Sequence, residues 1–440
     1  MSSKGFSSEG ALVVALVGGS HFVNHAYFML LPPVFGPLQA ELDVGLPAVG
    51  LAASLVGAVV VALQLPFGYL SDTRGRTPVL AVTLALGALG AALVATAETY
   101  PWLLAGAAVM GVGLAGHHSA HYPLLSAATR PSTRGRAFSV HGFTGALGFA
   151  APPAVVGAAT ALGFDWRVAV GSIAAVGGLY AVACLAVFRR SVSRDVTHGL
   201  AAGTGGDEAD ASVDADAASS LPALRRLPAR IVSELRSLAS STAIVLLTVL
   251  WFLTSLANWG IQTYTNALLE TGYSVPEGTA NLLVSGMLVV GAVAILGGGW
   301  LSDRYSARAV VLGGFGALIA MTLALASGVL PRVLVFALTL VFIASVKVGR
   351  PALSKLGDSL SADEDLGKNF GLLTIGISGG GAVAPYVYGV VISATNVRFA
   401  FATIAAVGVA AIAMTFVVVG VSERSAAAGG SEPEAATAED

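Results

Sequence analysis

The chain has 440 residues, 55% hydrophobic and 11% charged, with a mean hydropathy of +0.80 and a formal net charge of −2. Soluble globular domains carry roughly 25% charged residues, so this composition excludes an ordinary water-soluble fold, and the near-neutral charge excludes a basic nucleic-acid surface. The single cysteine, Cys184, excludes an internal disulfide.

A helix crossing a bilayer needs about 20 mainly apolar residues, and lipid leaves its backbone groups no partner outside the helix. Runs of that kind lie at 11–36, 47–70, 78–97, 101–127, 137–162, 168–188, 242–268, 280–301, 308–329, 331–356, 369–394 and 398–421. The first is long and leads into more of the same, so it reads as span 1 and not as a cleaved leader. The expected organisation is a six-helix bundle over 1–190, a linker over 191–241, a second six-helix bundle over 242–424 and a disordered tail over 425–440. Within the linker, GTGGDEADASVDADAASS is acidic and lacks apolar periodicity, which reads as disorder. The following LPALRRLPARIVSELRSLAS has the pattern of an amphipathic helix on the membrane surface.

Arginine fixes the expected orientation. Arg74 and Arg76 fall between spans 2 and 3, Arg130, Arg134 and Arg136 between spans 4 and 5, and a further group lies in the linker. The opposite side holds only Arg167, Arg332 and Arg398. The positive-inside rule then puts both termini in the cytoplasm and the chain in the plasma (cytoplasmic) membrane.

The two halves repeat. GYLSD at 68–72 recurs as GWLSD at 299–303; Gly148, Pro153 and Gly157 recur as Gly380, Pro385 and Gly389; Arg167 recurs as Arg398. The segment GYLSDTRGRTP at 68–78, with Gly68, Asp72, Arg74, Gly75 and Arg76, resembles the signature of the major facilitator superfamily between spans 2 and 3. Its second copy, Gly299, Asp303, Arg304 and Arg308, lacks the Gly-Arg pair. The resemblance covers about residues 11–421. It implies an all-α integral membrane fold of twelve helices in two parallel six-helix repeats, with spans 1, 4, 7 and 10 around a central cavity. Physically, the motif is a tight turn with a charge clamp able to hold one end of the bundles in one state and release it in another. SHFVNHAYFMLLP in span 1 and GLAGHHSAHYPLLS in span 4 are loosely similar to the fosmidomycin-resistance branch, which favours an acidic residue where His25 stands.

Ionisable residues inside spans are costly and mark function by default. No Asp or Glu falls in the middle of a span, whereas six of the seven histidines fall within spans. His21 and His25 are four apart on span 1, and His117 and His121 four apart on span 4, so each pair shares a helix face. Asn258 and Gln262 share a face of span 7, with Asn266 one turn on, and Lys347 and Arg350 lie on span 10. His118 and His141 carry less of the pattern. A polar, net-positive cavity without a carboxylate suits an anion, which arginine can grip through two donors, and a histidine can carry a coupling proton near neutral pH.

The sequence is therefore read as a secondary transporter working by alternating access, moving a small organic anion with proton coupling. The expected partners are that solute, a proton or another coupling ion, and the lipid bilayer; a monomer is expected. No GxxxxGK[ST] occurs, so no nucleotide cassette, no cofactor and no enzymatic activity are expected. Proton-driven efflux of neutral or lipophilic drugs is the first alternative. A metal-ion transporter is the second: His117 and His121 have chelating spacing, but Lys347 and Arg350 would repel a cation, so no metal site is expected.

Overall fold

The computed structural model describes residues 5–198, 242–360 and 366–429. The acidic run and surface-helix readings of the linker (199–241) and the tail beyond 429 lie outside the described residues. Among these residues every element is helical, and 12 helices are long and apolar enough to cross a membrane. They are span 1 (Ser8–Leu42), span 2 (Leu46–Arg74), span 3 (Arg76–Ala95), span 4 (Tyr100–Ala128), span 5 (Pro131–Ala161), span 6 (Trp166–Ser191), span 7 (Thr242–Gly272), span 8 (Glu277–Arg304), span 9 (Ala307–Ser327), span 10 (Arg332–Gly357), span 11 (Leu373–Ala394) and span 12 (Val397–Val421). Each falls on an expected run. Span 5 starts earlier than the hydropathy suggests, because Pro131 at the first helical position needs no amide partner and presets the helical φ. The last helix runs on to Gly429.

Several spans are interrupted. Span 1 is helical over Ser8–Phe28, tightens into a 3-10 turn at Pro32–Val34 and resumes over Phe35–Leu42; the two prolines lack amide donors for a continuous ladder. Span 4 breaks at Gly116, between Tyr100–Ala115 and His117–Ala128. Span 10 is three pieces, Arg332–Phe342, Ala344–Lys347 and Arg350–Leu360. Span 7 ends in a π-helical turn, Leu268–Gly272. In lipid, non-helical backbone survives where protein or a cavity covers it, and the breaks in spans 4 and 10 fall beside His117 and Lys347.

The halves close on each other at the end carrying Pro33, Gly50 and Ala150. There Asn281 Nδ2 donates to the Pro33 carbonyl (3.2 Å), Ser285 to the Ala150 carbonyl (2.9 Å), and the Tyr386 amide to Ser54 Oγ (3.0 Å). Glycines make the approach possible. A Cβ on Gly50 would stand 2.5 Å from the Pro385 carbonyl oxygen, and one on Gly57 3.0 Å from Ala382 Cα and N. Small residues let helix backbones meet in lipid, where packing replaces the hydrophobic effect as the driving force.

The sequence repeat has a physical counterpart on this rim. Arg167 pairs with Glu41 and donates to the Ala97 carbonyl (2.7 Å), while Trp166 Nε1 donates to Glu41 (2.8 Å). Arg398 donates to the Gly272 carbonyl (2.7 Å) and packs against Gly328, whose φ of +72° and crowded surroundings suit glycine. Each arginine ties span ends and loops within its own half.

Candidate functional site

The N-terminal half gathers six histidines. Span 5 carries Gly142, Gly145 and Gly148 at three-residue spacing, and Gly145 and Gly148 let its backbone approach span 1. Its carbonyls are thereby presented to the span 1 imidazoles. His21 Nδ1 donates to the His141 carbonyl (2.6 Å) and His25 Nδ1 to the Gly145 carbonyl (2.9 Å). A carbonyl accepts only, so both rings carry their proton on Nδ1. His21 Nε2 and His25 Nε2 then face each other at 3.0 Å. On span 4, His117 Nδ1 donates to the Leu114 carbonyl, leaving a buried Nε2 without a hydrogen-bond partner in the protein. His121 joins Ser20 through Nε2 (2.8 Å) and His141 through Nδ1 (3.2 Å). The His21 and His141 rings stack at 3.7 Å, and those of His117 and His118 lie 3.8 Å apart.

The structure thus keeps the span 1 pair together and divides the span 4 pair. His21, His25 and His117 come together, and His121 turns away to Ser20 and His141. The two histidines with the weaker sequence pattern are part of the assembly: His118 joins the first group and His141 supplies both a ring and a carbonyl. Spacing along span 4 could not reveal this, because it reports shared faces within one helix and not which side meets span 1.

The C-terminal half contributes the cations. Lys347 is 7% exposed, and its ammonium lies 5.8 Å from the centre of the Phe149 ring, across the boundary between the halves. Among the described residues the ion pairs within 4 Å are Arg167–Glu41 and Lys355–Asp303, so neither Lys347 nor Arg350 has a carboxylate partner there. Arg350 Nε is buried without a hydrogen-bond acceptor. A cavity of about 80 Å³ lies between the halves, lined by His25, Phe149, Gln262, Lys347 and Arg350. Both amide atoms of Gln262 are buried and unpartnered in the protein, as is Asn258 Oδ1 one turn earlier. Buried polar atoms usually find partners, so the unpartnered Gln262 amide and Arg350 Nε at one cavity are what a ligand site presents. Asn266 is elsewhere: it donates to Asn281 (2.6 Å) in the closed rim.

The motif residues are at the other end of the bundles. Gly75 has φ +95° and separates spans 2 and 3, a conformation that favours glycine. Asp72 is exposed and, among the described residues, has no cation within 4 Å; Arg74 is exposed, and Arg76 donates to the Val196 carbonyl (3.1 Å). Gly68 lies alongside Ser119 of span 4, and Ser71 donates to the Ser119 carbonyl (2.8 Å), which ties the motif helix to the histidine-bearing segment. In the second copy, Gly299 has open space around it, Asp303 pairs with Lys355 of span 10 at 2.6 Å, Arg304 stacks over Trp300 and Arg308 over Phe416.

Twelve apolar helices in two repeats, enclosing a polar cavity, define an integral membrane protein built like a solute carrier. The chain belongs to the Major Facilitator Superfamily, which it matches over residues 17–349 and again over 250–439. It is 31% identical over 123 residues to the inner membrane transport protein YajR of Escherichia coli (strain K12), covering 28% of this chain and 27% of that one. It is 25% identical over 272 residues to the niacin transporter NiaP of Acinetobacter baylyi, covering 60% of each. The chain therefore spans about a quarter to three-fifths of the length of these relatives. Among solved structures, a bacterial homolog of the human lysosomal transporter Spinster, inward-facing and unoccupied, superposes with a TM-score of 0.74 at 14% identity, over 94% of this chain and 98% of that one. A variant of the nucleoside transporter NupG does so with a TM-score of 0.71 at 14% identity, over 92% and 99%. At that identity the likeness concerns the fold.

Proposed function

We propose that the protein is a secondary transporter for a small organic anion, alternating between states in which the two halves part at one end or the other. The carrying observation is the pair of Lys347, buried, and Arg350, half-buried with a buried Nε, at the wall of the cavity between the halves and without a carboxylate partner among the described residues. Holding a cation away from water costs several kcal/mol unless a counter-charge repays it, and an anionic solute is that counter-charge. Gln262 supplies uncommitted polar atoms to orient it. The cargo named for one relative, niacin, is a monocarboxylate at neutral pH, which fits this charge. The driving force is an ion gradient, with the proton as the coupling ion to be tested. The halves are the segments 1–190 and 242–424, and the arginine distribution supports cytoplasmic termini. By that orientation the closed rim faces outward and the cavity belongs to an inward-facing state.

The test is uptake into liposomes with internal pH recorded, over nicotinate, other carboxylates, phosphonates, neutral solutes and lipophilic cations. Phosphonates are included for the resemblance to the fosmidomycin-resistance branch. Uptake of an anion with a proton signal, lost in Lys347→Ala and Arg350→Ala proteins that remain folded, supports the reading. Wild-type rates in both variants, or signals with neutral and cationic drugs alone, overturn it in favour of multidrug efflux.

A further inference from the structure

Three imidazoles in the N-terminal half have the same constraint. His21, His25 and His117 each give their Nδ1 proton to a backbone carbonyl: those of His141, Gly145 and Leu114. Each neutral ring therefore presents a lone pair on Nε2. The Nε2 atoms of His21 and His25 stand 3.0 Å apart, so two acceptors face each other with no donor between them. That of His117 is buried with no partner in the protein. One ring nitrogen from each of His21, His25, His117 and His118 lies within 4.8 Å of the other three. Facing lone pairs repel unless a cation sits among them.

We propose that these four residues form a binding site for a divalent transition-metal ion of the kind that favours imidazole, zinc being the reference case, with His21, His25 and His117 as ligands through Nε2 and His118 completing the set. A proton shared between His21 and His25 would answer two of the lone pairs and leave the buried third on His117 unanswered; a metal ion answers all three. The hydrogen bonds from Nδ1 to carbonyls are what metal-bound histidines ordinarily make, since they fix the tautomer and the ring orientation. Zinc holds imidazole nitrogens at about 2.0–2.1 Å, which for a tetrahedral ion separates neighbouring ligand atoms by about 3.3 Å. The 3.0 Å pair is close to that already, and the other nitrogens, all within 4.8 Å of one another, have at most about 1.5 Å to close. His118 is exposed, with its ring between the Tyr122 ring (5.3 Å) and the His117 ring (3.8 Å).

Lys347 and Arg350 line the same cavity as His25, so their charge opposes a cation there. Both belong to the other half, and Phe149 packs against the His25 ring (4.4 Å) and the Lys347 ammonium alike. Four neutral ligands leave the ion its full charge, and an anion in the cavity that His25 also lines would balance it. The metal site does not depend on that anion.

The test uses full-length, tag-free protein in detergent, stripped with a chelator and titrated with zinc by calorimetry and with cobalt by visible absorption. The expected result is one ion per chain and the d–d bands of a low-coordinate, nitrogen-bound cobalt. Affinity should fall about tenfold or more in His25→Ala and His117→Ala, with folding checked by size-exclusion chromatography. His118→Ala, at an exposed position, serves as the variant least able to disturb folding, and it should weaken binding and shift the cobalt bands. Lys347→Ala should keep the ion, which separates this site from the anion reading. No stoichiometric binding by folded wild-type protein overturns the proposal, as does unchanged binding in His25→Ala and His117→Ala. Nitrogen NMR showing a His21–His25 shared proton in protein that takes up no metal would overturn it in favour of the proton.

Discussion

Replacing Gly57 with alanine tests whether the closed rim defines one state of a two-state machine. The added Cβ would sit 3.0 Å from Ala382 Cα and N and 3.2 Å from the Gly381 carbonyl carbon. All are backbone atoms, so no flexible side chain can swing away. Overpacking of this kind costs about 1–3 kcal/mol. The substitution also raises helix propensity, but span 2 is helical whichever way the halves lean, so that gain cancels between states. What remains is a penalty confined to the closed rim, equivalent to about a 5- to 150-fold shift in the equilibrium toward rim opening. Spin labels on cysteines at Leu162 and Val329, exposed rim positions on opposite halves, would read it by pulsed electron resonance in a Cys184→Ser background. The longer-distance component should grow in Gly57→Ala. Superimposable distance distributions would refute the argument that this contact holds the state.

Three further expectations follow from the same geometry. Asn281→Ala removes the donor to the Pro33 carbonyl and the acceptor for Asn266; leaving buried polar groups unpaired costs about 1–3 kcal/mol, so the melting temperature in detergent should fall and rim opening should increase. Glu41→Gln breaks the pair with Arg167, but both side chains are about a third exposed (32% and 37%), so the stability loss should stay below about 1 kcal/mol; a fall as large as that of Asn281→Ala would contradict the solvent screening assumed. Gly145→Ala places a Cβ 2.5 Å from His21 Nδ1 and 2.8 Å from its Nε2, which should displace the ring and abolish zinc binding measured by calorimetry, whereas Gly142→Ala, with open space around it, should leave it intact.

The twelve spans were legible because hydropathy over about 20 residues is a bulk property, indifferent to detail. Their interruptions were less so. Pro32 and Pro33 announce a break, but Gly116 resembles any other glycine of a glycine-rich span until span 3 and span 2 crowd it: a Cβ there would meet the Thr83 hydroxyl and the Phe67 ring within 3.0 Å. The polar cavity could be anticipated from which residues were ionisable. The grouping of the histidines could not, since it depends on how far span 5 approaches span 1, and that distance is set by Gly145 and Gly148. The role of the His141 and Gly145 carbonyls was invisible for a different reason, since side-chain identity says nothing about which backbone oxygens a helix offers a neighbour.

The two rim arginines bear on how force passes through the molecule. Arg167 and Arg398 each fasten loops within one bundle and neither reaches across. Each half is thereby hooped like a barrel at its mouth, while among the described residues the joint between the halves carries three hydrogen bonds, close-packed glycines and aromatic pairs such as Phe35–Tyr264 and Phe149–Trp259. In the proposed transport cycle, load applied to the joint should part it before it deforms either hoop, with the halves moving as two stiff shells.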